Sequence, residues 1–319
     1  MQHRAARLLD LALLVVLATL WGASYAFIRV AVASIPPVTL MACRTLIAAG
    51  LLAAFLQLRG IPLPRTRDAW QEFAVQAVLN SVLPFTLLAW AQQQVEAGVA
   101  AILNSCAPLF VFLGTWALSR DETVTWTRLF GVVVGLAGTG LVLGGEALQG
   151  AGHRLLPQSA ILLATVCYAG AALYGRKFQG LPPALPAAGS LLCGAVVLLP
   201  ASIVIDRPWT LSPSTASVIA LLGLSVFSTA LALVIYFRLI ATLGSVATTA
   251  QAYLRVPIAV AIGVLFLGES PAPTAWVGLV CVVTGVAAMN LCVPRACSKD
   301  ALRPLARSRT SHANPGDRP

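Results

Sequence analysis

The sequence predicts an all-α integral membrane protein with ten transmembrane helices, arranged as two inverted five-helix repeats. Three observations predict this fold class: an apolar composition, ten apolar runs of helical length, and a set of residues that occurs twice. Of 319 residues, 58% are hydrophobic and 10% are charged, whereas about a quarter of a soluble domain is charged. With a mean hydropathy of +0.85, too little polar surface remains to cover a soluble globule.

Each of the ten apolar runs has roughly 20 residues, enough to cross a hydrocarbon core of about 30 Å as an α-helix. They lie at residues 9–28, 38–58, 70–92, 97–118, 127–145, 156–175, 185–205, 214–237, 246–267 and 274–293. Because backbone polar groups in lipid must bond within their own segment, all ten are expected to be helices. Continuous apolar runs also argue against a membrane β-barrel, whose strands are shorter and alternate polar with apolar residues.

Residues of the first half of the chain recur in the second half at nearly constant spacing. Around the fourth and fifth predicted helices, Pro108, Glu122, Gly131 and Gly138 return as Pro257, Glu269, Gly278 and Gly285. Because each copy holds five helices, an odd number, the two copies lie in opposite senses in the membrane. The chain therefore divides into a first repeat at residues 1–145, a connecting loop at 146–155, a second repeat at 156–293 and a basic tail at 294–319.

The distribution of lysine and arginine predicts the orientation. Of the 21 Lys and Arg residues, sixteen fall in segments on one side of the predicted helices, three on the other side, and two inside helices. Under the positive-inside rule the richer side is cytoplasmic, so both termini are expected in the cytoplasm. The net charge of +10 then reflects topology, and no nucleic-acid partner is indicated. The tail is expected to be disordered, because it holds almost no large apolar residue.

No cofactor, metal or catalytic group is indicated. The seven cysteines show no paired spacing, and the three histidines lie in tail or loop segments, so neither a disulfide framework nor a metal site is expected. An enzyme would need clustered His, Asp or Glu at the membrane face, or a Cys/His pair. A membrane enzyme is therefore only a remote alternative.

Two arginines fall inside predicted helices, where burial costs roughly 2.5–3.5 kcal/mol on insertion scales, so each should face water or protein. Arg255 lies near the middle of the ninth helix and is predicted to line a polar cavity. Arg44 lies nearer a helix end, so it either lines the same cavity or extends to the membrane surface. No Asp or Glu lies deep in a predicted helix. The interior is thus expected to be positive and to complement a carboxylate or phosphate, which guanidinium binds bidentately.

Further polar candidates surround the two mid-helix prolines. Asn104 precedes Pro108, and Gln251 and Tyr253 precede Pro257. Each proline removes a helix hydrogen bond and is expected to act as a hinge or kink near the helix centre. The polar side chains then face a cavity, or alternatively serve only as hydrogen bonds between helices.

Aromatic residues recur near corresponding positions of the two repeats. Trp21 and Tyr168 lie some way inside their helices and are candidates for cavity walls. Other aromatic residues, Tyr25 among them, are by default expected at the membrane interface.

Glycines along the fifth and tenth helices predict close packing of backbones. They are Gly131, Gly135 and Gly138 in the fifth helix and Gly278 and Gly285 in the tenth. Such glycines let membrane helices approach closely. They are expected to pack within one chain, with a homodimer contact as the alternative.

These residues resemble a known family. Leu20-Trp21-Gly22, Ala26-Phe27, Arg29, Pro37 and Arg44 resemble the opening of EamA-type members of the drug/metabolite transporter superfamily. The stretch from Pro257 through Leu267-Gly268-Glu269 to Gly278 and Gly285 resembles that family's second repeat. The first repeat departs from the pattern, because Ser119-Arg120-Asp121-Glu122 replaces the Gly-Glu ending. A cap or loop contact is expected for both Glu122 and Glu269.

The resemblance implies an inner-membrane carrier with a central cavity between the two halves. Such proteins export amino acids and other small metabolites by alternating access, and Trp21, Arg44, Pro108 and Pro257 carry the family's motif residues here. The partners expected are therefore a small polar substrate and the lipid bilayer. Alternatives on the same fold are a carrier of phosphorylated sugars and a carrier of hydrophobic drugs; the positive interior disfavours cationic drugs.

Overall fold

The computed structural model describes residues 2–118, 126–148, 155–178, 180–182, 184–236, 238–239, 242 and 251–291. Within them the chain forms ten membrane helices and no strand, which confirms the predicted fold class. The first five are α1 (Gln2–Ala31), α2 (Pro37–Leu58), α3 (Arg67–Ala91), α4 (Ala97–Asn104 as α4a and Ala107–Leu118 as α4b) and α5 (Trp126–Leu148). The second five are α6 (Leu155–Tyr174), α7 (Ala184–Ile205), α8 (Thr215–Tyr236), α9 (Gln251–Leu267) and α10 (Pro273–Leu291).

Hydropathy separates these helices into two groups. Over the described residues, six helices are long and apolar enough to cross a membrane: α1, α2, α3, α6, α7 and α8. The remaining four, α4, α5, α9 and α10, have shorter apolar stretches in the part of the chain that the structure describes.

The two mid-helix prolines occupy different local structures. The fourth span is interrupted at Ser105 and Cys106, and Pro108 is the second residue of α4b. A proline fits this position because the amide that it lacks would have no intrahelical partner in a first turn. Pro257, in contrast, lies inside the continuous helix α9. The chain therefore breaks before Pro108, and the hinge role predicted for the two prolines stays a prediction.

Each repeat also contains a short π-helical segment that hydropathy did not predict. Residues Val78–Val82 form one inside α3, and residues Val226–Leu231 form the other inside α8. The third and eighth helices correspond to each other in the two repeats. A π-segment widens one turn of a helix and is frequent at functional sites.

Helices of the two repeats mix in the packing. α1 packs against α8 and α9, and α6 packs against α3 and α4, so the same pattern occurs twice with the repeats exchanged. We call α1, α8 and α9 the α1 wall, and α3, α4 and α6 the α6 wall. The remaining helices pair with their counterparts, α2 with α7 and α5 with α10. Each wall thus combines helices from both repeats.

The α5–α10 pair explains the repeated glycines. A Cβ at Gly138 would lie 2.9 Å from the carbonyl oxygen of Gly278, and one at Gly285 would lie 2.5 Å from that of Gly131. Both distances are below normal van der Waals contact. The glycines therefore let α5 and α10 approach within a single chain.

Successive helices run antiparallel, so the connections between them alternate between two faces. Residues 32–36, 92–96, 206–214 and 268–272 lie on one face, here called the Glu269 face. Residues 59–66 and 180–182 lie on the other, here called the Phe178 face. On the Glu269 face, Asp206, which directly follows α7, accepts hydrogen bonds from the amide and hydroxyl of Thr39 at 2.7 and 2.8 Å. This bond ties the first turn of α2 to the second repeat.

Candidate functional site

A cavity of about 830 Å³ lies between the α1 wall and the α6 wall, and α2 and α7 also contribute lining residues. Its polar lining side chains come from both repeats: Ser24, Tyr25, Arg44, Gln76, Asn80, Asn104, Tyr168, Ser190, Ser228, Thr229, Tyr236 and Arg255. The volume is within the range of about 300–1,000 Å³ that is usual for small-molecule sites. The centre of the molecule therefore holds a cavity that is large enough for a metabolite and combines apolar walls with polar side chains.

Over the residues that the structure describes, the cavity lining extends to one face of the molecule. Its lining includes Phe178, Gly180 and Leu181, which lie at the Phe178 face. None of its described lining residues belongs to the connections of the Glu269 face. The cavity thus opens toward the Phe178 face and is closed toward the other.

Arg44 is held inside the cavity and does not extend to the surface. Its side chain in α2 is 8% exposed. The guanidinium carbon lies 3.9 Å from the centre of the Phe85 ring, a cation–π contact. Its Nε donates to the Thr229 hydroxyl oxygen at 3.0 Å. Of the two possibilities left open by the sequence, the structure shows the one in which Arg44 lines the cavity.

Thr229 can accept this bond because of the π-segment that contains it. Its hydroxyl donates to the carbonyl oxygen of Leu224, five residues earlier, at 2.8 Å. With its one hydrogen donated to that carbonyl, the Thr229 oxygen presents a lone pair to Arg44. The local helix geometry of the second repeat therefore positions an arginine of the first.

Arg255 reaches the same cavity from α9 in the second repeat. Its Nε is buried and has no hydrogen-bond partner among the described residues. No Asp or Glu is among the described lining residues. Two guanidiniums thus share a cavity whose described wall carries no compensating carboxylate.

Asn104 lies at the end of α4a and joins three helices. Its side-chain nitrogen is 2.6 Å from the Tyr25 hydroxyl on α1, and its side-chain oxygen is 3.2 Å from the Thr165 hydroxyl on α6. Asn104 therefore bonds between helices and also lines the cavity, so interhelical bonding is not its only structural role. Tyr25 is only 3% exposed, so it is not at the membrane interface, its default expectation.

The predicted aromatic wall residues also lie at the cavity. Trp21 packs against Tyr236 with ring centres 5.4 Å apart, and Tyr168 packs against Phe85 at 6.4 Å. All four line the cavity. Because Phe85 also carries the Arg44 guanidinium, the aromatic wall and the positive charge are adjacent.

Two further candidates, Gln251 and Tyr253, lie in the first turn of α9, and their side chains are outside the described residues. The structure thus brings together five of the seven predicted site residues: Trp21, Arg44, Asn104, Tyr168 and Arg255.

Sequence reasoning missed the polar residues of the π-segments. Asn80 of α3 and Ser228 and Thr229 of α8 line the cavity. A signal was present, because Asn80-Ser81 and Ser228-Thr229 occupy corresponding places in two otherwise apolar helices of the two repeats. Such a repeated polar pair inside a membrane span indicates a cavity as well as a mid-span proline does.

Glu269 and Arg238 make polar contacts away from the cavity. The Glu269 carboxylate accepts hydrogen bonds from the amides of Ala97 and Gly98, which confirms the predicted cap. Glu122 lies outside the described residues. Arg238 lies 3.7 Å from Asp10 and forms an ion pair near the Phe178 face.

A multi-pass membrane fold with a one-sided polar cavity is typical of transporters. Comparison with known proteins agrees, because residues 9–144 and 156–291 each match the EamA-like transporter family. The "Uncharacterized inner membrane transporter YedA" of Escherichia coli (strain K12) is 30% identical over 275 residues, covering 85% of this chain and 87% of the relative. The chain therefore belongs to the EamA-like transporter family and is a multi-pass inner membrane transporter, not an enzyme.

Two further comparisons are informative. The "Probable terminal-alkyne amino-acid exporter" of Streptantibioticus cattleyicolor is 28% identical over 282 residues, covering 87% of this chain and 92% of the relative. A solved structure, titled "Crystal structure of protein", superposes with a TM-score of 0.63 at 18% identity and covers 92% of this chain and 99% of its own. At that identity the second comparison supports the fold alone.

Proposed function

We propose that the protein is a secondary transporter that exports small polar metabolites bearing a carboxylate or phosphate, such as amino acids, by alternating access. The observation that carries the proposal is the pair of cavity arginines, Arg44 and Arg255, without an acidic residue in the described lining. An anionic group in this cavity relieves the repulsion between the two positive charges, and a guanidinium is able to bind such a group bidentately.

The electrostatics of the cavity favour one class of substrate. In a low-dielectric interior, like charges repel strongly, so a cationic drug is disfavoured beside two arginines. The Trp21–Tyr236 and Phe85–Tyr168 pairs provide apolar surface beside the charges. An amphipathic anion or zwitterion, with its acidic group at the arginines and its apolar part on the rings, fits this combination.

The shape of the cavity supports alternating access. Two walls that mix both repeats enclose a site that opens to one face and is closed at the other. Pseudo-symmetric halves of this kind change access by moving against each other around a fixed central site. The structure then corresponds to one of the two states that transport requires.

Charge supports the orientation of the cavity, whereas the export direction rests on the family resemblance. The described basic residues Arg59, Arg65, Arg67, Lys177 and Arg238 lie near the Phe178 face. Under the positive-inside rule this face is cytoplasmic. The cavity then opens to the cytoplasm, so the structure corresponds to the inward-open state. Amino acids are the first candidates, because the Streptantibioticus cattleyicolor relative is named as an amino-acid exporter.

Transport by reconstituted protein tests the proposal. Purified protein in proteoliposomes is assayed for uptake of radiolabelled amino acids, phosphorylated sugars and cationic dyes, with and without a pH gradient. We expect uptake of a carboxylated or phosphorylated compound, reduced by at least about tenfold in Arg255→Ala, because a charged hydrogen bond contributes roughly 1.5–3 kcal/mol. The matched control is Arg59→Ala, which removes an exposed arginine outside the cavity.

The compounds taken up decide between the candidate substrate classes. Uptake of phosphorylated sugars alone would move the assignment to that alternative. Uptake of cations alone, or normal anion uptake by a well-expressed Arg255→Ala variant, would contradict the proposal.

A further inference from the structure

The Glu269 carboxylate binds the exposed amides of a helix in the other repeat. It accepts hydrogen bonds from the amide of Ala97 at 2.6 Å and from that of Gly98 at 3.0 Å. These are the first two residues of α4a, and the preceding Glu96 provides no side-chain cap. The first amides of a helix have no intrahelical acceptor and carry partial positive charge, so a carboxylate is their preferred partner.

The chain around Glu269 is shaped to place this carboxylate. Gly268 ends α9 in the left-handed region with φ of +65°, which L side chains rarely adopt, and turns the chain back toward the bundle. A Cβ at Gly263 would lie 2.3 Å from Glu269 Oε2, so only glycine leaves room for the carboxylate there. The amide of Glu269 donates to the carbonyl of the same Gly263 at 3.1 Å.

The contact joins the two cavity walls at the closed end of the cavity. Glu269 follows α9 of the α1 wall, and α4a belongs to the α6 wall. α4a packs against α9 and α1 as well as α6, whereas the described part of α4b packs mainly on α6. The walls therefore meet beside Glu269 and separate toward the Phe178 face, where the cavity opens.

α4a connects this contact with the cavity itself. All eight of its residues are buried. Its first residue is bound by Glu269, and its last residue, Asn104, lines the cavity about 10 Å away at 1.5 Å per residue. A movement of α4a would change both ends together.

We propose that the Glu269 carboxylate is the latch that keeps the Glu269 face closed, and that it must release α4a when the cavity opens to that face. The inference rests on alternating access, part of the proposed function, and adds the residue that holds one of the two states. Removing the carboxylate should shift the equilibrium toward the state open at the Glu269 face, since a ligand-free protein already samples both states.

Asp206 provides a matched control for this proposal. It too is a carboxylate of the second repeat, on the same face, that binds the first turn of a helix of the first repeat. It joins α2 to α7, however, and these two helices pack extensively against each other outside the two walls. Asp206→Asn should therefore weaken this bond without changing which face is open.

Distance measurements on substrate-free protein test the latch. In full-length protein with its native cysteines replaced, Gln94→Cys and Ser270→Cys place spin labels at two exposed positions on either side of the contact. Pulsed EPR in nanodiscs then reports the separation of the walls at the Glu269 face. We expect Glu269→Gln to raise the population with longer distances by about tenfold, and Gly263→Ala, which displaces the carboxylate but keeps its charge, to do the same.

Comparison of Glu269→Gln and Gly263→Ala with the Asp206→Asn control decides whether the contact is a latch. Longer distances in Glu269→Gln and Gly263→Ala but not in Asp206→Asn would support the latch. Unchanged distances in both, or equal lengthening in Asp206→Asn, would overturn it. These distance measurements do not depend on substrate. A protein that shows the longer distances but transports no anion would refute the proposed substrate class alone. Normal anion transport without the longer distances would refute the latch alone.

Discussion

At the scale of single residues, Thr229 determines where the charge of Arg44 lies. The hydrogen-bond chain runs from Arg44 Nε to the Thr229 hydroxyl and from there to the Leu224 carbonyl. Since Thr229 belongs to the second repeat and Arg44 to the first, this hydrogen-bond chain joins the two repeats at the cavity wall. An anion bound at Arg44 therefore depends on a residue that need not touch the anion.

Substitution of Thr229 tests this dependence. Thr229→Val keeps the shape of the side chain but removes the acceptor for Arg44 Nε. Because a hydrogen bond to a charged group contributes about 1.5–3 kcal/mol, we expect KM for the transported anion to rise by roughly 10–100-fold. The measurement is initial uptake rate against substrate concentration in proteoliposomes.

Two variants control for nonspecific damage. Thr229→Ser restores the hydroxyl and should recover a KM near that of the unmodified protein. Thr284→Val removes an exposed hydroxyl on α10 that bonds only within its own helix and lies outside the cavity lining, so KM should not change. A Thr229→Val protein with unchanged KM would show that Arg44 needs no support from α8.

At the scale of elements, the close approach of α5 and α10 depends on glycines that a methyl group would disturb. A Cβ at Gly138 would lie 2.7 Å from the Cys281 Cβ and 2.9 Å from the Gly278 carbonyl oxygen. Overpacking of this kind costs about 1–3 kcal/mol. Gly138→Ala should therefore lower Tm by several degrees, at about 2–4 °C per kcal/mol, in thermal unfolding of detergent-solubilised protein.

Gly140 in the same helix is the control. A Cβ there would meet no atom within 4 Å. Gly140→Ala should leave Tm unchanged or raise it slightly, because alanine is the better helix former. Equal Tm values for the two variants would mean that the α5–α10 contact is looser than the structure shows.

Hydropathy predicted the ten helices well because lipid imposes one simple requirement, about 20 apolar residues per span. The break before Pro108 and the π-segments Val78–Val82 and Val226–Leu231 depend instead on which backbone groups find partners in the folded bundle. Residue hydropathy carries no such information. The repeated polar pairs of α3 and α8 were the one visible sign of the π-segments.

A residue of the candidate site could be predicted only where its own position along a helix decides its surroundings. A mid-span arginine is costly wherever it lies, so Arg255 was predicted at a cavity from sequence position alone. The place of Arg44 depended on Thr229, 185 residues away, and on the ring of Phe85. Tyr25 was assigned to the interface by default, whereas its bond with Asn104 places it at the cavity. Contacts between repeats decided each case that the sequence left open.

At the scale of the whole molecule, the distribution of charge should fix which face of the protein meets the cytoplasm. The Phe178 face carries most of the described basic residues outside the membrane, whereas Arg29 and Arg207 lie near the Glu269 face. Short basic segments stay in the cytoplasm during insertion. We therefore predict that residues 59–66 are cytoplasmic and that residues 268–272 are not.

Maleimide labelling of intact cells tests this orientation. A membrane-impermeant maleimide is applied to cells that carry Thr66→Cys or Ser270→Cys in protein without native cysteines. Ser270→Cys should react in intact cells, and Thr66→Cys should react only after permeabilisation. Both positions are exposed, so neither result depends on opening of the cavity. The reverse pattern would place the cavity opening on the outer side and both termini outside the cytoplasm, so the orientation proposed here would be wrong and the structure would correspond to the outward-open state.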